Sequence, residues 1–313
     1  MTAYNNIMLA VPYRKPNQHT VQLALSFAKD HGAKLTLFGV TEEIEKGYES
    51  FLTTKPKDEL LASMQLKQKS ALQALVDSLK PEYDNVDCDV AVGIPFAEIV
   101  KRIQRDRFDL LILDAEDKHN TEKRFLGSTT KHVLRKCPCP VLTVRDKALP
   151  KTVMAAVDLY APGEYGETLN IKVLKRAKAM AERYQAALHV VYALQPVGEP
   201  MLSSWGIGDD DTLRSAHDEL KEESLKKLQK LVQDYAEGAP IEAVVLDGHP
   251  RDAIPEYVAD QNIDLIVMGT VCRTGIKGFL IGNTAESIME DVRCSILALK
   301  PQGFVSPISP GKK

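Results

Sequence analysis

The residues best suited to chemistry run from Gly269 to Thr284, where four glycines and the two cations Arg273 and Lys277 lie between an apolar run and the start of a helix. Glycine lets backbone amides approach an anion closely, and a helix opening at Asn283 or Thr284 adds unpaired N–H donors and a favourable dipole. That is the chemistry of phosphate binding. A surface loop with ordinary turn glycines fits the bare pattern equally well. The spacing is neither a dinucleotide fingerprint nor a P-loop, because Gly275 and Gly282 do not complete G-x-x-x-x-G-K-[ST] and the segment comes late in its domain. Asp158 adds weight. It ends an apolar run that reads as the first strand of the same domain, where a doubly wound sheet presents ligand contacts, and its carboxylate can accept from an amino group or a ribose hydroxyl. A turn or cap residue before Pro162-Gly163 is the plainer reading.

Other groups carry less. Asp114 and Asp117 can be drawn as a metal pair, against the simpler reading of solvated loop acids. Cys137-Pro138-Cys139-Pro140 resembles a redox or metal pair only superficially: it lacks zinc spacing, although His132 can be drawn to join it, and Cys139 is expected to pack at the start of a strand as Cys294 does. No Ser-His-Asp or Cys-His set can be assembled, so no catalytic residue is named.

The elements that must position these groups come in two copies. Residues 90–113 run parallel to 245–268, each reading as strand, Gly-x-Pro turn, amphipathic helix and apolar strand. Gly93 and Gly248, Asp109 and Asp264, Gly127 and Gly282, and Cys139 and Cys294 all stand 155 positions apart. Near the starts, Asn6–Val11 parallels Thr152–Val157 at an offset of 146. A constant offset over that span means duplication. The difference places extra residues early in the second copy, most economically in the loop Leu159–Gly166.

Short apolar strands at 6–11, 34–40, 86–92, 109–113 and 141–144, and again at 153–157, 187–193, 241–246, 264–268 and 296–299, alternate with helical patterns, in the second half near 168–185, 211–236, 250–260 and 284–291. Such a pattern predicts α/β domains with five-stranded parallel sheets covered on both faces, of the Rossmann-like kind. Ser128 and Asp211-Thr212 read as helix caps. In the long helices, Leu60, Leu61, Met64, Leu72 and Leu75, and Leu213, Leu220, Leu225, Leu228 and Leu231, read as core-facing stripes. The expected boundaries are 1–146 and 152–300, with a charged linker ending in Pro150 and a Pro- and Gly-containing tail, 301–313, read as disordered.

Composition bounds the rest. Apolar residues make up 44%, charged residues 27% and aromatic residues 6% of 313, and the net charge is −3. Nothing in that balance calls for a nucleic-acid surface. No apolar run approaches a membrane span and no secretory signal is legible, while five cysteines without a framework read as reduced thiols. The expected location is the cytoplasm.

Both halves resemble universal stress protein domains, and the tandem arrangement resembles the family's two-domain members. The resemblance covers nearly the whole chain and is densest over Gly269–Glu286, Arg293-Cys294 and Leu299–Pro301. It implies an adenine nucleotide alpha hydrolase-like fold and a role in stress response. The family's ATP-binding members carry G-x-x-G, nine residues, then G-[S/T], with an Asp ending the first strand. Carried over, these fall on Gly269 and Cys272, then on Gly282-Asn283-Thr284, with Asp158 as the acid, Arg273 among the cations and Ala193 where backbone groups face adenine. Cys272 stands for the second glycine and Asn283 for the Ser or Thr, so ATP binding in the second domain is expected to be weakened by a Cβ near the phosphates.

In the first domain the same spacing puts Asp114 and Asp117 at both glycine positions, before Gly127-Ser128-Thr129, and Pro12 at the acid. Carboxylates repel a triphosphate, and this domain is expected not to bind ATP. Family members commonly dimerise through their last strands, which implies that Val141–Val144 and Ile296–Leu299 pair within one chain as a pseudo-dimer, with a further homodimer open. The expected function is a ligand-sensing or scaffold module, with a protein partner open as well. Alternatives are an apolar or amphipathic metabolite held near Met201, Leu202 and Trp205, or weak ATP hydrolysis, for which no base or metal site is visible.

Overall fold

A computed structural model describes residues 4–13, 16–43, 56–115, 126–145, 149–161, 163–195, 210–236, 240–270 and 282–310. The chain divides into unit 1, Met1–Lys147 with Val305–Lys313, and unit 2, Ala148–Phe304.

Unit 1 runs β1 (Asn6–Val11), α1 (Gln18–His31), β2 (Lys34–Thr41), α2 (Lys57–Leu79), β3 (Val86–Val92), α3 (Pro95–Asp106), β4 (Leu110–Asp114), α4 (Ser128–Lys136) and β5 (Val141–Val144). Unit 2 repeats the order as β6 (Thr152–Ala156), α5 (Gly163–Tyr184), β7 (Ala187–Leu194), α6 (Asp210–Ala236), β8 (Ile241–Asp247), α7 (Pro250–Asp260), β9 (Leu265–Gly269), α8 (Asn283–Asp291) and β10 (Ser295–Leu299). Every neighbouring pair within a unit is parallel, in the order β3-β2-β1-β4-β5 in unit 1. Unit 2 pairs as β8-β7-β6-β9-β10. The expected parallel α/β architecture is present in both halves. Strands buried on both faces explain the unbroken apolar runs: Leu110–Leu113 and Leu265–Met268 are all buried.

The duplication is visible in matching details. Asp109 accepts the backbone N–H of Asn5 at 2.7 Å and of Asn6 at 3.1 Å. Asp264 accepts those of Lys151 at 2.7 Å and Thr152 at 3.0 Å. Each carboxylate thus ties the start of its unit's fourth strand to the start of the first.

Most of the extra residues early in the second copy lengthen a helix and not the loop. Gly32 and Gln185 hold the same left-handed position after α1 and α5, with φ of 61° and 52°. They stand 153 positions apart, against 146 for the preceding strands, so seven of the added residues fall between strand and helix end. They are taken up as about two further turns at the start of α5, which begins at Gly163 rather than near 168.

Two cap readings and one core reading are corrected. Gly127 is the N-cap of α4 and Ser128 its first helical residue, while α6 already starts at Asp210, ahead of Asp211-Thr212. In α6 the fully buried positions one turn apart are Ser224 and Leu228, and Leu220 is 38% exposed. A hydroxyl therefore occupies an inward position that the leucine spacing did not mark. In the tail, residues 301–310 are described as turns and bends, and Gln104 Nε2 donates to Ile308 O at 2.7 Å. Among the described residues no helix is long and apolar enough to cross a membrane.

Candidate functional site

In unit 2 the strand order reverses between β6 and β9, since β7 lies on one side of β6 and β9 on the other. Ligands of open parallel sheets bind in the crevice that such a reversal opens at the carboxyl ends of the strands. Ala156 pairs with Val191 of β7 and with Met268 of β9. Asp158 and Ala193 therefore lie two residues past that rung, and Gly269 one residue past it. Three of the expected site residues share one end of three adjacent strands.

Asp158 is fixed through its backbone. Asn170 of α5 donates from Nδ2 to Asp158 O at 2.7 Å and accepts Asp158 N–H through Oδ1 at 3.0 Å. The side-chain amide mimics a strand neighbour just where β6 stops. Asn170 is itself buried, so both bonds form away from bulk water. Past it the chain turns: Ala161 N–H donates to Asp158 O at 3.2 Å, and Tyr160 N–H donates to the Asp158 carboxylate at 3.3 Å. The turn reading of Asp158 is met by this geometry.

A side chain at Gly269 would meet α5. A Cβ there would stand 2.5 Å from Leu169 Cδ2, closer than packed carbon atoms come. Thr270 follows, buried, with its N–H and hydroxyl both donating to Leu299 O at 3.1 and 3.2 Å. Cys272 and Arg273 lie outside the described residues. The chain re-enters at Gly282, the buried N-cap of α8, which supplies no side-chain cap, and Asn283 and Thr284 form the first turn. Ala193 is 6% exposed and pairs with Leu246 of β8.

Asn170, Leu169 and Tyr160 were not marked by the sequence. Tyr160 reaches α6, where its hydroxyl lies 3.2 Å from Ser224 Oγ and Lys227 Nζ stands 4.5 Å from its ring centroid. On the far side of unit 2's sheet end, Asp247 takes bonds from Lys221 and from His217 Nε2. Burial pushes the Asp247 carboxyl up, but these two bonds outweigh it and hold it below the usual carboxylate range.

Unit 1 fills the corresponding place differently. Asp114 stands where unit 2 has Gly269, and its carboxylate accepts a short hydrogen bond from the buried Thr20 hydroxyl of α1. Thr130 Oγ1 lies 3.4 Å from Asp114 O. Asp117 lies outside the described residues. No group of three or more His, Cys, Asp or Glu among the described residues is placed to hold a metal ion.

The chain matches the profile of the Universal stress protein family over residues 3–145 and again over 151–300. It belongs to that family. Its two units are universal stress protein domains in tandem, which assigns the chain to the stress response. It is 25% identical to Universal stress protein E of Photorhabdus laumondii, with all of both chains covered. It is 26% identical to Universal stress protein E of Escherichia coli K12, with 98% of each covered. A functionally unknown protein from Pseudomonas aeruginosa PAO1 has a similar fold, with a TM-score of 0.71, 22% identity, and 96% and 93% of the two chains covered. A universal stress protein from Archaeoglobus fulgidus DSM 4304 gives 0.63 at 18% identity, covering 94% and 98%. The resemblance read from Gly269–Glu286 and from the tandem repeat is borne out.

Proposed function

We propose that unit 2 binds an adenine nucleotide, ATP in the first instance, and that the protein acts as a nucleotide-sensing or scaffold module rather than as a metabolic enzyme. The observation that carries this reading is the convergence of Asp158, Ala193 and Gly269 at the carboxyl ends of β6, β7 and β9, around the reversal of strand order. An acid held by Asn170 suits a hydroxyl or amino donor. The first turn of α8, entered through a glycine, suits phosphate oxygens. The family's ATP-binding pattern, carried onto Gly269, Cys272 and Gly282–Thr284, supports the same assignment. In unit 1, Asp114 at the glycine position opposes a polyphosphate by charge, which favours a structural role for that domain.

Native mass spectrometry of the full chain, purified without added nucleotide, tests this. A retained mass of ATP or ADP supports the reading. A lipid-like mass supports an apolar-ligand site instead, and a chain that stays empty even with millimolar ATP supports a scaffold without a nucleotide.

A further inference from the structure

The connection between α4 and β5 holds a pair of thiols whose counterpart in unit 2 is not a pair. Cys137 Sγ and Cys139 Sγ lie 3.4 Å apart. Both residues are buried, Cys137 at 0% and Cys139 at 7% exposed. A disulfide needs its sulfurs at about 2.0 Å, so closure asks for a movement of roughly 1.4 Å shared between two side chains. Both cysteines precede the ladder of β5, which begins at Val141, so the movement breaks no strand pairing. Pro138 between them restricts the backbone and lowers the entropy lost when the sulfurs meet.

Unit 2 provides an internal comparison. Val292 is the C-cap of α8 as Cys137 is of α4, with φ of −71° at both. Val292 N–H donates to Ile288 O at 3.0 Å and Cys137 N–H to Val133 O at 2.8 Å. The backbone is the same, and Cys294 matches Cys139. A valine satisfies this position, so packing alone does not require the second sulfur of unit 1.

We propose that Cys137 and Cys139 form an oxidant-responsive dithiol that closes to an intrachain disulfide when the protein meets a hydroperoxide. In the first step one sulfur attacks the peroxide. The O–O bond breaks, the sulfur becomes a sulfenic acid, and the alcohol, or water from hydrogen peroxide, leaves. In the second step the other thiol displaces the sulfenic oxygen as water and the S–S bond forms. Two thiols give up two electrons and two protons, and the peroxide bond takes up both.

Burial suits the product better than the alternatives. It pushes the Cys139 thiol well above its ordinary range, with the bond to Cys137 adding to the effect. That disfavours a buried thiolate as a resting state and slows attack. The disulfide carries no charge, so the same burial does not oppose it, and the resolving thiol already touches the sulfur it must reach. The pair should therefore respond to sustained oxidant rather than to brief exposure.

The tryptic fragment between Lys136 and Arg145 contains both cysteines and no others, which makes the test direct. The full chain is exposed to hydrogen peroxide, denatured, blocked with iodoacetamide and digested. The fragment is expected to be unalkylated and lighter by two hydrogens than its reduced form, and dithiothreitol before blocking should restore two alkylatable thiols. Cys137→Val, which installs the residue that unit 2 uses, should keep the fold and abolish the product. A fragment that remains doubly alkylated while Cys88 is oxidised would overturn the proposal. So would a disulfide from Cys137 or Cys139 to any other cysteine.

Discussion

The Leu169 side chain occupies the space into which a Cβ on Gly269 would project, with Cδ2 2.5 Å from that position. A side chain at the end of β9 would therefore have to displace the Leu169 side chain of α5. Gly269→Ala is expected to destabilise the protein by about 1–3 kcal/mol through overpacking. In a Leu169→Ala background the same change should cost much less, because the obstructing atoms are gone. Urea unfolding of the four chains in this cycle measures the coupling. Additive effects would contradict a direct clash.

Asn170 is the second support. Asn170→Ala removes the two side-chain bonds to the Asp158 backbone, leaving Asp158 O the N–H of Ala161, and the lost bonds should lower stability by about 1–3 kcal/mol. If Asp158 contacts ligand, nucleotide affinity falls as well, since the acid loses its fixed position. Titration at a temperature where the variant is fully folded separates the two effects.

Asp109 and Asp264 offer a symmetric pair of mutations. Each accepts two backbone N–H groups at the start of a first strand. Asp109→Ala and Asp264→Ala should each cost about 1–2 kcal/mol, given their partial exposure. Hydrogen exchange should show the loss at Asn5 and Asn6 in one variant and at Lys151 and Thr152 in the other.

Tyr257 carries a pH dependence. Its hydroxyl lies 2.8 Å from His189 Nδ1, and burial, with the nearby Glu242 carboxylate adding to it, raises the phenol to about 12. An unfolded tyrosine ionises near pH 10. The folded state therefore binds the proton more tightly, and its contribution is complete below about pH 10 and lost as pH climbs toward 12. Burial also raises the Tyr184 phenol, so phenolate absorbance should show a late-titrating component to which Tyr257 contributes, and Tyr257→Phe should reduce that component and flatten the alkaline loss of stability.

How far the sequence reached depended on which quantities are periodic. Strand positions and the duplication were legible because buried parallel strands leave apolar runs and because Asp109 and Asp264 recur at one offset. The placement of Asp158 and Gly269 at strand ends was legible because each follows an apolar run. Asn170 and Leu169 were not, because they lie in the added turns of α5, for which the first copy has no counterpart. A signal existed: the offset from Gly32 to Gln185 already exceeds that between the first strands, which places the insertion ahead of the helix end. Ser224 escaped for a different reason. A single hydroxyl among leucines breaks no pattern, and its inward position follows only from where Tyr160 lands. The thiol pair was visible as C-x-C, but spacing alone could not show that the two sulfurs touch.

The most direct test of the account is calorimetric titration of ATP into the full chain and into Asp158→Ala. The expected result is one site per chain, strongly weakened by the substitution, while Asp114→Ala leaves the stoichiometry at one. Two sites per chain, or unchanged binding to Asp158→Ala, would contradict the assignment of the nucleotide to the end of β6 in the second domain.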